Sequence, residues 1–201
     1  SGADAGKYIL TQPTLSADIT PKALTITGIA GVNKVYDGST FADATGAAAL
    51  LGLETGDIVT LGGTPSFTFA SVNAGTGITV NTVGYIISGA DSGNYTLTQP
   101  TLSADITAKV LTITGISGND KVYDGTTAGS ITGTAALSGL VSGDNLYLVG
   151  SPSFAFVSAN VGSNITINTS GYLISGTNVG NYSLIQPDLL ADITYKGLTI
   201  T

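Results

Sequence analysis

The chain has no cysteine, methionine, tryptophan, histidine or arginine, and a single glutamate, Glu54. Each absence excludes something. Without cysteine there are no disulfides and no thiolate metal sites, so stability cannot follow redox state. Without histidine the commonest general base at neutral pH and the commonest metal ligand are both missing, and no Ser/His/Asp or Cys/His constellation can be assembled. Charge is scarce: six lysines stand against 13 acidic residues, for a net charge of −7. Binding a phosphate backbone needs clustered basic side chains, so a nucleic-acid partner is not expected. A polybasic membrane anchor fails on the same count. No apolar run approaches the roughly 20 residues of a spanning helix, so membrane insertion is not expected either. No leader segment is visible, which fits a piece cut from the interior of a longer chain.

What remains is rich in threonine, glycine and branched aliphatic residues, with 42% hydrophobic residues overall. That composition favours strands and turns over helices and is unlike a disordered segment. The sequence also repeats. Asn33-Lys34-Val35-Tyr36-Asp37-Gly38 returns as Asp120-Lys121-Val122-Tyr123-Asp124-Gly125, and Tyr36 to Tyr123 is 87 positions. The same spacing aligns residues 21–107 with 108–194 without a gap. Residues 1–20 match 88–107 and 175–194, with Tyr8, Tyr95 and Tyr182 in register, and residues 195–201 restart the unit. The period therefore predicts the C-terminal strands of one repeat (1–20), two whole repeats (21–107 and 108–194) and the first strand of another (195–201), from a longer array. Each repeat is long enough for a modest core of its own.

Within a repeat, Lys22–Thr27 alternates with period two, as a half-buried strand does. Lys34–Tyr36 is a short strand ended by Asp37-Gly38, a strong turn signal. Ile58–Leu61, Ser66–Ser71 (with Phe67 and Phe69 on one face), Gly77–Thr82, Tyr85–Ser88, Tyr95–Gln99 and Leu102–Thr107 complete eight or nine strands. This is the pattern of an all-β, immunoglobulin-like sandwich. Residues 47–53 allow an alternative, because Ala47–Leu51 fits one helical turn as well as a buried strand. With a helix there, each unit would be β-grasp-like. Tyr95 to Thr114 reads as nearly continuous strand, broken at Pro100 and at Thr107–Lys109, so the repeats join without a flexible linker and the array is expected to be a stiff rod.

Four groups of residues could carry chemistry. In Lys34-Val35-Tyr36-Asp37-Gly38 and its copy Lys121-Val122-Tyr123-Asp124-Gly125, a cation, a phenol and a carboxylate fall within four residues. The structural reading puts Val35 in the core, packs the Tyr36 ring with its hydroxyl bonded and uses Asp37-Gly38 to turn the chain. Tyr36 and Tyr123 should then occupy equivalent, buried places. Asp18, Asp105 and Asp192 recur near the junctions, and Asp57 and Asp144 at Gly-Asp turns. They are weak calcium candidates, since several oxygens must converge and no established calcium-loop pattern is present. Lys22 or Lys34 with Asn94, and Lys109 or Lys121 with Asn181, are the pairs a Lys–Asn isopeptide would use. Asn94, Asn164, Asn168 and Asn181 begin Asn-x-Ser/Thr sequences. No P-loop or dinucleotide fingerprint occurs. No enzymatic activity and no cofactor are expected.

The succession K-V-Y-D-G-[ST]-T, G-L-x-x-G-D, S-G-A-D-x-G-N-Y-T-L and A-D-I-T-x-K-x-L-T-I resembles the YDG-type repeat, related to the MBG-type repeat, of large bacterial surface proteins similar to filamentous haemagglutinins. The resemblance covers the whole chain, departing at Lys7, where the other copies have Asn94 and Asn181. It implies extracellular stalk or filament repeats of an adhesin, at the bacterial cell surface, whose first partners are neighbouring repeats. Two other readings are a glycan- or matrix-protein-binding module, with Tyr85/Tyr172 and Tyr95/Tyr182 as the shared aromatics, and homophilic contact between arrays, as in biofilm aggregation.

Overall fold

Branched and apolar residues on every second position drive both repeats into strands, and the computed structural model describes residues 2–200 of the chain. In the first repeat β1 (Lys22–Gly31) lies between β4 (Ala44–Leu51), antiparallel to it, and β7 (Tyr95–Leu97), parallel to it. A second sheet runs β2 (Lys34–Val35), β8 (Thr101–Thr107), β6 (Gly75–Ser88), β5 (Thr60–Phe69), β3 (Phe41–Ala42). The second repeat repeats the plan. β9 (Lys109–Gly118) lies between β11 (Ile131–Ser138) and β14 (Tyr182–Leu184), and β10 (Lys121–Val122), β15 (Leu189–Thr194), β13 (Gly162–Gly176) and β12 (Leu146–Phe156) form the other sheet. The fold is all-β and sandwich-like, with a small sheet and a larger one per repeat.

Residues 44–51 are strand, which removes the β-grasp alternative. Thr25–Thr27 of β1 pair with Ala49–Leu51, and Gly46, opposite Ile29, takes φ 104° at a bulge. Pairing along the full edge of β1 satisfies more backbone groups than one isolated helical turn could. Two other expectations change in the same way. Ile58–Leu61 and Ser66–Ser71 fuse into β5, and Gly77–Thr82 and Tyr85–Ser88 into β6. The glycines between them do not end the strands but let them cross at a shared bulge, where the ladder skips from Gly63 to Ser66. Gln99 then ties the segment after β7 to β6: Tyr85 N–H donates to its side-chain oxygen (3.1 Å), and its amide donates to Tyr85 O (2.9 Å). Gln186 and Tyr172 repeat the exchange.

The core does not respect the sequence period. One buried cluster joins Tyr36, Ala42, Phe69, Val80, Ala104 and Ile106 of the first repeat with Leu111, Leu146 and Tyr182 of the second. A separate cluster of Phe156, Ile167, Ala191 and Ile193 fills the larger sheet of the second repeat. Their counterparts 87 positions earlier, Phe69, Val80, Ala104 and Ile106, are the residues packed against that repeat's small sheet across the junction. The unit of packing is therefore offset from the unit of sequence: the larger sheet of one repeat shares its core with the smaller sheet of the next. Leu111, fully buried in that shared core, contributes on the order of 2 kcal/mol by its burial. Only Ala108 separates β8 from β9, so the backbone path across the junction is as short as the sequence predicts.

Candidate functional site: the junction between repeats

The tight turn at Asp37-Gly38 begins the site. One carboxylate oxygen of Asp37 accepts the Ser39 N–H (2.8 Å) and its hydroxyl (2.9 Å), while Gly38 adopts φ 79°. Lys34 Nζ reaches back to the same Asp37 oxygen (2.8 Å) and to Ser39 O (2.7 Å), and it lies 5.5 Å from the centre of the Phe69 ring. The ammonium thus has carboxylate, carbonyl and ring face as partners, which lets the Lys34 stem turn inward. Because side chains alternate along a strand, Val35 must point outward. It is 55% exposed, overturning its placement in the core.

The second copy is built alike. Lys121 Nζ bonds Asp124, Thr126 O and Ala128 O and sits over Phe156. In both copies the lysine hydrogen bond, first among the causes, lowers the aspartate pKa to about 2. The stabilisation from these pairs is complete above the ordinary aspartate value and lost only as pH falls towards about 2.

With Lys34 turned inward, Tyr36 follows on the same face and crosses into the next repeat. Its ring meets Tyr182 edge to face at 5.4 Å, and its hydroxyl donates to Asp144 Oδ2 (2.9 Å). Tyr182 donates to the same oxygen (2.5 Å) and accepts the Val141 N–H (3.0 Å). One carboxylate therefore closes two phenols from different repeats. Beside it, Asn181 is buried: its side-chain oxygen accepts the Ala74 N–H (2.8 Å) and its amide donates to Asn73 Oδ1 (3.1 Å). Val141 approaches Gly38 closely enough that a Cβ there would lie 3.0 Å from it. A loop, a turn and a strand end of the first repeat are thus read by one Asp, one Asn, one Tyr and one Val of the second.

Burial first, then the Asp144 carboxylate, raises the Tyr182 pKa to about 12. The same two causes, in that order, raise Tyr36. A phenol held above its ordinary value of about 10 contributes fully below that value and loses its contribution as pH rises through its folded pKa. The junction is therefore expected to loosen between about pH 10 and 12. Ultraviolet tyrosinate titration should show late-ionising phenols, fewer in Tyr182→Phe. The melting midpoint of the wild type should fall more steeply than that of Tyr182→Phe over this range. Parallel curves would refute the role given to this hydroxyl.

Tyr123 does not match Tyr36. It is 41% exposed against 3%, which corrects the expectation of equivalent burial. Its own turn is intact, but its ring has no Tyr182 to pack against. At the other end Tyr95 donates to Asp57 Oδ2 (2.6 Å) and accepts the Glu54 N–H (3.2 Å), so the Tyr–Asp half of the site is preformed before any neighbour arrives.

The other candidates are spread apart. Asp105 Oδ1 accepts the Gly77 N–H (2.7 Å), and Asp192 Oδ1 accepts the Asn164 N–H (2.8 Å). Asp18 lies in an exposed segment outside the sheets. Among the described residues no three His, Cys, Asp or Glu side chains converge as a metal would require. Lys22 pairs with Glu54; Lys34 and Lys121 are held by their turns, and Asn181 by Asn73 and Ala74, so these are not lysine–asparagine pairs. Tyr95, Tyr172 and Tyr182 are buried and do not offer ring faces to a ligand. Sequence reasoning named Asn181 only for an isopeptide or a glycan and Asp144 only for calcium; it did not foresee that Asn181 would bond Asn73 and Ala74 or that Asp144 would take two phenols. Their only advance signal was recurrence at the same register as Asn94 and Asp57.

The family model for the YDG domain matches twice in tandem, over residues 20–102 and 107–189. No curated protein and no solved structure matches the chain.

Proposed function

We propose, for a chain that belongs to the YDG-domain family, that its tandem repeats are a mechanical element: stalk or filament segments of a secreted bacterial surface adhesin, which extend it and hold its parts at a restricted angle. The observation that carries this reading is the shared core at the junction, with Asp144 bonded to Tyr36 and Tyr182 across it. A flexible linker lets neighbouring domains tumble. Here β8 runs into β9 through one residue and the hydrophobic cluster is continuous, so bending the junction means opening a core.

Small-angle scattering with single-molecule pulling tests the idea. The expected result is one narrow distribution of molecular length, broadened in Asp144→Ala, and an unfolding force for the first repeat that falls in the same variant. A scattering profile that requires freely hinged repeats in the wild type would sink it. A reproducible hit on a glycan array, with no mechanical effect of Asp144→Ala, would move the function to a binding module.

A further inference from the structure

The stretch from Asn33 to Tyr36 has a second set of partners, on the strand by which the chain leaves its repeat. β2 pairs in parallel with the end of β8, Lys34 opposite Ile106 and Val35 opposite Thr107. Tyr36 N–H then donates to Thr107 O (2.8 Å). Side chains extend the ladder: Thr107 Oγ1 donates to Lys34 O (3.2 Å), and Asp105 N–H donates to Asn33 Oδ1 (2.7 Å). The second repeat carries the same bonds. Lys121 and Val122 pair in parallel with Ile193 and Thr194. Tyr123 N–H donates to Thr194 O (2.9 Å), Thr194 Oγ1 to Lys121 O (3.3 Å), and Asp192 N–H to Asp120 Oδ1 (2.7 Å). Tyr36 is buried and Tyr123 is not, so this set forms whether or not a neighbouring repeat packs on the tyrosine.

Strand direction decides what such a contact does under tension. Load enters a repeat through β1 and leaves through β8, which passes by Ala108 into β9. β2 follows β1 in the chain, so tension draws β2 back while it draws β8 forward. Because the two strands run the same way, they must slide along each other. Their hydrogen bonds are evenly spaced and cross from strand to strand, so sliding strains them together. Peeling a hairpin breaks such bonds one after another. β1 and β7 form a parallel pair as well, from Lys22 opposite Tyr95 to Leu24 opposite Leu97. β5 and β6 are an antiparallel hairpin and lie outside the path of the load.

We propose that Asn33–Tyr36 with Asp105–Thr107, and Asp120–Tyr123 with Asp192–Thr194, are load-bearing clamps, one inside each repeat. The Asn33 and Thr107 side chains fasten the end of β8 at which the load leaves. This inference rests on the reading of the repeats as a mechanical element, and it places the resistance within each repeat. The Asp144 bond to Tyr36 braces the first clamp from outside but does not make it. The proposal also gives a role to the first residue of the repeated run. That residue is Asn33 in one copy and Asp120 in the other, and both offer the same acceptor oxygen.

Pulling the chain at constant force between its two ends tests it. A clamp bond breaks on the way to the transition state, so its loss appears in the unfolding rate. Asn33→Ala and Thr107→Val should each speed one unfolding step by about five- to tenfold. Asn33→Asp should keep the wild-type rate, because Asp120 serves in the other copy. Asp91→Ala is the control: it removes the bond that Asp91 Oδ2 accepts from Ile58 N–H (2.8 Å), at the open end of the β5–β6 hairpin. Its melting midpoint should fall as far as that of Asn33→Ala, yet its rate under load should change less than about twofold. Equal acceleration in Asn33→Ala and Asp91→Ala, or none in either, would overturn the clamp and leave the mechanical reading standing. A wild type that extends without any resisted unfolding step would overturn both.

Discussion

Tyr36→Ala should destabilise the protein by about 3–5 kcal/mol, while the same change at Tyr123, in an almost identical sequence, should cost less than about 1 kcal/mol. The two tyrosines share neighbours in the chain, turn and strand, so any purely local role would make the costs equal. Tyr36 is 3% exposed and Tyr123 41%. The difference is what each ring meets: Tyr182 edge to face and the Asp144 carboxylate for the first, solvent for the second. Removing Tyr36 leaves a cavity in the shared core and takes one of two donors from Asp144. Tyr36→Phe isolates the second part and should cost about 1–2 kcal/mol. Urea unfolding of the three variants decides it. Equal midpoints for Tyr36→Ala and Tyr123→Ala would show that the tyrosine serves its own sheet and not the junction.

Gly84→Ala should be far more damaging than its size suggests, costing more than about 3 kcal/mol. Gly84 adopts φ 98°, where an L side chain is strained, and an added Cβ would lie 2.5 Å from Thr64 O. The obstacle is backbone, held by the β5–β6 ladder on both sides of the bulge, so it cannot rotate away. The contact is mutual, since a Cβ on Gly63 would come within 2.1 Å of Gly84 O. Gly93→Ala is the control: nothing lies near its Cβ, and the effect should stay within about 0.5 kcal/mol. A melting midpoint for Gly84→Ala close to that of Gly93→Ala would mean that the strands do not cross at this bulge.

The difference between these two residues marks how much could be read in advance. The period of 87, the strands built on alternating Thr, Ile and Leu, the turn at Asp37-Gly38 and the absence of a linker at Ala108 are all local or repetitive properties. Composition and spacing expose them directly. Glycines such as Gly63 and Gly84 mislead for the same reason. Taken alone, glycine signals the end of a strand, and only the presence of a second glycine opposite it, some twenty positions away, turns it into a crossing within one.

The lysine–tyrosine–aspartate stretch divides in the same manner. Its turn and its placing of Lys34 and Tyr36 on one face follow from strand periodicity. Which face is inside does not, because a lysine flanking a valine argues for the opposite choice. The decision went to Lys34 once Asp37, Ser39 and Phe69 gave its ammonium a full set of partners, and Tyr36 was carried inward with it.

By itself, then, the sequence determined an all-β, tandem chain of YDG domains without metal-binding cysteine or histidine, and the positions at which every repeat begins and turns. Only the tertiary structure decided that the packing unit straddles two repeats. That depends on Tyr36 meeting Asp144, 108 positions further on, and a period of 87 does not reveal which element of the next copy lies within reach. It decided as well that Tyr36 and Tyr123, alike in sequence, differ in burial, because burial depends on what docks against a residue.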